Sequence, residues 1–230
     1  MDALGRYSTL MARLESLGNP ENVRGMARFG INTETAWGIS MPALRSIAKD
    51  LGKDHDLALR LWKSGRHEAR ILASLVDDPK QVTPEQMEAW VAGFDSWDVC
   101  DQACSNLFDR TPHATGKAVA WAGREEEYVK RAAFVLMAAL AVHDKKSPDK
   151  VFLDFLPLIR REAEDPRNFV RKAVNWALRQ IGKRNRVLNQ AAIVLAEDLA
   201  GKPASRWVGS DALRELRSEG VQARLGKRVG

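Results

Sequence analysis

Trp97 and Asp101 stand four residues apart in FDSWDVCDQ, Phe94 to Gln102, so on a helix they share one face, an aromatic plane beside a carboxylate. An indole face attracts positive charge, and a fixed carboxylate stabilises such charge and can polarise water. The plainer alternative is a core tryptophan with Asp98 or Asp101 capping or pairing locally. Arg131, in YVKRAAFVLMAAL, has Phe134, Val135 and Ala138 as its i+3, i+4 and i+7 neighbours, so a guanidinium projects from a largely apolar side of its helix. Burying it is costly unless it is paired, so it either meets an internal carboxylate or faces a surface that expects an anion. Trp176, in NFVRKAVNWALRQIGKRN, lies beside the stripe of Val170, Val174, Ala177 and Ile181 and near Arg179, where a core tryptophan is again the default. Other chemistries lack their signatures. His55, His67, His113 and His143 are scattered without metal-ligand spacing, and GxGxxG, P-loop and GxSxG are all missing, so no metal and no cofactor is expected. Cys100 and Cys104 are one helical turn apart, where a disulfide would strain the backbone; they read as reduced core residues.

The elements that must position these residues are helices. Apolar residues recur at i, i+3, i+4, and no stretch alternates as a strand would. The pattern predicts helices over 3–17, 20–28, 41–51, 54–63, 66–77, 83–93, 97–108, 112–121, 125–143, 147–163, 167–183, 187–200 and 209–218, divided at Gly18-Asn19-Pro20, Gly30, Thr83-Pro84, Thr111-Pro112, Ser147-Pro148, Asp165-Pro166 and Gly201-Lys202-Pro203. Thr83-Pro84-Glu85-Gln86 reads as an N-cap, a first-turn proline and an acceptor three residues on. The last ten residues, VQARLGKRVG, read as a frayed basic tail. The strongest apolar helices, 125–143 and 167–183, start 42 residues apart, within the roughly 40–47-residue period of HEAT and armadillo units. The expected fold is all-α, a single HEAT-like helical-repeat solenoid over 1–230, with a concave face where partners bind.

Charge points to the same kind of partner. Residues 151–230 hold 16 Lys plus Arg against 9 Asp plus Glu, while the rest of the chain holds 20 and 21, so the net +6 comes from the C-terminal third. Such a basic segment suits a polyanion, and the concave face is expected to be basic. The longest apolar run, Ala132 to Val142, is eleven residues, too short for a bilayer at ~20. The N-terminal stretch has no charged region followed by an apolar one, so a cytoplasmic protein without membrane contact is expected, a monomer being the simplest assembly.

WDVCD, KRAAFVLM and FVRKAVNWALRQIGK, in this order, resemble the helical-repeat DNA alkylation-repair glycosylases, the AlkD-like family. The likeness extends to MARFGINTETAWGISMPALRSIAK and SDALREL, and so covers most of the chain. It implies hydrolysis of the N-glycosidic bond of N3- or N7-alkylated purines in double-stranded DNA, with no lysine Schiff base and no strand cleavage. It assigns the family's two tryptophans, aspartate and arginine to Trp97, Trp176, Asp101 and Arg131. Asp101 would stabilise the cationic sugar and polarise water, the indoles would flank the sugar, and Arg131 would hold a phosphate. Arg171, Lys172, Arg179, Lys183, Arg184, Arg186, Lys202 and Arg206 would hold the duplex through its phosphates. Phe29 stands where the family often has tyrosine, so a backbone-contacting hydroxyl is missing, and the linker before the Arg131 helix is shorter than usual. Two rival readings remain: a non-catalytic HEAT-like module that binds damaged or branched DNA, and a protein–protein scaffold with no salt-sensitive DNA affinity.

Overall fold

The computed structural model describes residues 3–226, which fold into fourteen α-helices and one 3-10 turn with no strand among them. They form two compact units, Met1–Thr111 and Pro112–Gly230. The first holds α1 (Ala3–Ser16), α2 (Pro20–Ala27), α3 (Met41–Leu51), α4 (His55–Lys63), α5 (His67–Val76), α6 (Pro84–Ala92), α7 (Trp97–Asn106) and the 3-10 turn Phe108–Arg110. The second holds α8 (Ala114–Trp121), α9 (Glu127–His143), α10 (Asp149–Glu162), α11 (Asn168–Gly182), α12 (Arg186–Ala200), α13 (Arg206–Leu216) and α14 (Glu219–Gly226).

Local chemistry sets the helix starts. Asn19 Oδ1 accepts from the Glu21 and Asn22 N–H groups at 2.9 and 3.2 Å, Asp54 from Leu57 at 3.0 Å and Asn185 from Leu188 at 2.9 Å, each satisfying donors that an α-helix leaves open. Thr83 caps α6 as the sequence predicts, accepting from Gln86 N at 3.1 Å, but Gln86 turns its own amide to Asp77 Oδ2, at 2.7 Å, instead of closing a box. Two expectations are corrected at the end of the chain. The penultimate helix starts at Arg206 rather than 209, and 219–226 is a helix whose Val221 and Leu225 are buried, not a frayed tail. The last four residues of the expected tail lie outside the described part.

In the first unit the indoles of Trp62 on α4 and Trp90 on α6 stack in parallel, centroids 4.1 Å apart and planes within 3°, with Phe94 and Phe108 against them. Cys100 and Cys104 are buried here and form no disulfide, and burial pushes the Cys104 thiol up. In the second unit α9 is the central helix. Every residue from Ala132 to Ala141 is buried, so the long apolar run is core, and each large side chain in it contributes about 1.5–3 kcal/mol. Arg184 closes the end of α9: its Nη1 donates to the Ala141 and Asp144 carbonyls at 2.8 and 2.7 Å, and its guanidinium lies 3.8 Å from the Phe152 ring centroid. Helices α11 and α13 run parallel, since paired positions rise together along both. Arg171 lies over Trp207, Asn175 Nδ2 donates to Val208 O, Arg179 binds Glu215, and Gly182 sits against Leu216. No helix of the described residues is long and apolar enough to cross a membrane.

Candidate active site

The candidate residues of the first unit stand on α7. Trp97, its first residue, is half-buried, and its Nε1 donates to the Phe29 carbonyl at 3.0 Å. The indole is therefore not a core side chain. It is tethered to the loop after α2, where the Phe29 ring is itself 70% exposed. Asp101 follows one turn later on the same face, partly exposed. Asp98 is tied to its own turn and to α5. Its Oδ1 accepts from Ser96 Oγ at 2.6 Å and from Val99 N at 3.0 Å, and its Oδ2 meets His67 Nε2 at 2.9 Å. Burial works against both charges, yet the hydrogen bond and attraction between them prevail: His67 is held above the ordinary histidine value and Asp98 below the ordinary carboxylate value.

Glu68, next to His67 on α5, organises the loop that leads into α3. This buried carboxylate accepts from Trp37 N at 2.9 Å, Gly38 N at 2.6 Å and Ile39 N at 3.2 Å. Gly38 is required there, because its φ is +82° and a Cβ would stand 2.3 Å from the Asn19 carbonyl oxygen. Between this loop, α2, α5 and α7 opens a cleft of about 490 Å³ bordered by Trp97, Phe29, His67, Glu68 and Asp98.

In the second unit Arg131 is 5% exposed on α9, and its Nη1 donates to the Phe169 carbonyl at 2.5 Å. Trp176 on α11 is half-buried rather than core. With the Gln180 amide oriented to satisfy its neighbours, that oxygen accepts from Trp176 Nε1 at 2.9 Å and from Lys183 Nζ at 3.2 Å.

The eight further cations divide into two sets. Arg179 and Lys183 share Glu215, Lys202 pairs with Asp198 at 3.0 Å, and Arg184 caps α9. Arg171, Lys172, Arg186 and Arg206 have no carboxylate within 4.0 Å among the described residues, and all but Arg171 are exposed. Trp207, 43% exposed beside Arg206 and with Arg171 5.2 Å from its ring centroid, is a candidate contact that sequence reasoning missed; a tryptophan set among cations after Lys202-Pro203 was the available signal. His67 and Glu68 were missed as well, because their partners lie about 30 residues away. No group of three or more metal-ligating side chains occurs among the described residues.

A family model described as DNA alkylation repair enzyme matches residues 10–216. Two curated relatives are the uncharacterized proteins Lin0241 of Listeria innocua and Lmo0209 of Listeria monocytogenes, 25% and 23% identical over 128 residues. Those alignments take in 54% of this chain and 57% of each relative, so the chain spans little more than half the length of the curated relatives it matches. A solved structure described as a new family of proteins related to the HEAT-like repeat DNA glycosylases, with affinity for branched DNA structures, superposes with a TM-score of 0.80 at 20% identity, over 96% of both chains. The fold is thus HEAT-like.

Proposed function

The chain belongs to the DNA alkylation repair enzyme family, and from that premise we propose that it binds double-stranded DNA and hydrolyses the N-glycosidic bond of N3- and N7-alkylated purines. The observation that carries this reading is the face of α7. There a tryptophan fixed by the Phe29 carbonyl stands one turn from the partly exposed carboxylate of Asp101. An aromatic plane and an anion kept at a surface suit a cationic transition state better than they suit packing.

The chemistry asks little of the protein. Alkylation has already made the purine cationic, so the electron pair of the C1′–N bond leaves with the base and cancels its charge. Asp101 stabilises the positive charge that grows on the sugar and polarises the water whose oxygen bonds to C1′; the proton then passes to solvent. Trp97 offers an indole face to the cationic sugar. Arg131, held by the Phe169 carbonyl, is a fixed positive charge for a backbone phosphate. The grip on the duplex falls to Arg171, Lys172, Arg186 and Arg206, which have no carboxylate within 4.0 Å among the described residues.

Single-turnover excision of 7-methylguanine from duplex DNA tests the reading. Asp101→Asn should lose about 10²-fold or more in rate, while duplex affinity holds or rises and the melting temperature is unchanged. Normal excision by this variant, or none by the wild type, defeats the proposal. A second reading, retention of branched DNA without hydrolysis, is favoured by the description of the structural neighbour. Tight binding of a three-way junction with no base released from any alkylated duplex selects it.

A further inference from the structure

The cleft shares Trp97 with the hydrolytic site proposed above but not Asp101, which does not border it. Its volume of about 490 Å³ is that of a small-molecule site, which typically encloses roughly 300–1,000 Å³. The walls are apolar: the Trp97 indole, the thioethers of Met26 and Met41, and Ile31, Ile39 and Ile71. Polar side chains border the cleft as well. His67 is 3% exposed and its Nε2 is taken by Asp98, while Nδ1 has no hydrogen-bond partner among the described residues. That nitrogen is not sealed from solvent, so a ligand atom in the cleft can pair it. Gln102 adds an amide whose Oε1 already accepts from Asn106 Nδ2 at 2.9 Å and whose NH₂ can donate to a ligand. Glu21, Glu68 and Asp98 also border the space, so an anion is disfavoured and a neutral or cationic ligand is not.

We propose that this cleft is a binding site for a planar nitrogen heterocycle of purine size, stacked on Trp97 and hydrogen-bonded to His67 Nδ1 and the Gln102 amide. The identification of the heterocycle as a purine rests on the proposed hydrolysis. Thioethers and an indole take a ring face well, and His67 and Gln102 meet the ring's nitrogen-bearing edge. An aliphatic ligand would use neither polar group. The same ring could arrive attached to DNA, displaced from the stack, or as the free base after cleavage.

Gly25 supplies a clean perturbation. It borders the cleft on α2, and a Cβ added there would meet nothing within 4 Å, so Gly25→Leu narrows the space without forcing the backbone. The full-length protein is titrated with adenine and 3-methyladenine, and with naphthalene as a ring of similar size without hydrogen-bonding atoms, by calorimetry and saturation-transfer NMR. Both purines should bind saturably, naphthalene at least about tenfold more weakly, and purine affinity should fall at least about tenfold in Gly25→Leu and in His67→Gln. If His67→Gln does not fold, Gly25→Leu still decides. No saturable purine binding, equal binding of naphthalene, or purine binding untouched by Gly25→Leu overturns the proposal. Slower single-turnover excision in Gly25→Leu would identify the occupant as the attached base; unchanged excision with lost purine binding would identify it as the free product. Excision by the wild type without purine binding sinks the cleft site alone, whereas purine binding without excision sinks the hydrolytic reading alone.

Discussion

Glu68→Gln removes one charge and one acceptor from the point where three backbone N–H groups converge. In the native loop Oε1 serves Gly38 and Ile39 while Oε2 serves Trp37. A glutamine that keeps its oxygen on Gly38 and Ile39 must aim its NH₂ at the Trp37 N–H, donor against donor, and the two bonds it keeps lose their ionic strengthening. Hydrogen bonds to charged groups contribute about 1.5–3 kcal/mol each, so one lost and two weakened cost about 2–4 kcal/mol. For a chain of this size each kcal/mol moves the melting temperature by about 2–4 °C, which places the shift at roughly 4–16 °C. Differential scanning calorimetry measures it. Amide hydrogen exchange at Trp37, Gly38 and Ile39 should speed up ahead of global unfolding, because the loop is released first. Gly38 and Ile39 also border the cleft, so purine affinity should fall with the loop. A variant that melts within about 1 °C of wild type with these amides still protected would show that the loop does not depend on the carboxylate.

Three other outcomes are expected. The His67–Asp98 pair predicts a two-sided pH dependence of stability. A histidine raised above 6.5 contributes fully below that pH and loses its contribution as the pH climbs through the folded pKa, whereas an aspartate depressed below 3.8 contributes above 3.8 and loses it as the pH falls through its folded pKa. Denaturant titrations from pH 3 to 9 should show both limbs, and His67→Gln should flatten the alkaline one. Lys172→Ala and Arg206→Ala should each weaken duplex binding and reduce the slope of log affinity against log salt by about one, while Lys183→Ala, whose charge is already on Glu215, should leave the slope unchanged. Arg184→Ala should cost about 2–3 kcal/mol in chemical denaturation through the released end of α9, and leave duplex affinity where it was.

Much of this was legible from the chain alone, because a helix is a local object. Periodicity and prolines placed thirteen of the helices, and Thr83 capped where its sequence said it would. The miss at α14 is instructive. Gly220 and Gly226 gave EGVQARLG the look of a tail, and the Val221–Leu225 pair, four apart, was too short a stripe to outweigh them. What no local pattern carries is exposure and partnership. Trp97 and Trp176 both read as core tryptophans by default, and only the fold leaves them half-exposed. Lys183 and Arg179 read as free cations until α13 delivers Glu215 from 32 to 36 residues away. Either Asp98 or Asp101 could have paired locally by sequence; the buried imidazole of His67, 31 residues earlier, is what engages Asp98.

The parallel indoles of Trp62 and Trp90 give the first unit an optical signature. Two identical chromophores 4.1 Å apart have strongly coupled excited states, and their coupling enters circular dichroism as a signal that neither ring produces alone. That signal belongs to α4 and α6 and vanishes when they part. A stopped-flow trace at its wavelength would time the assembly of this one core, without a label and without waiting for the rest of the chain.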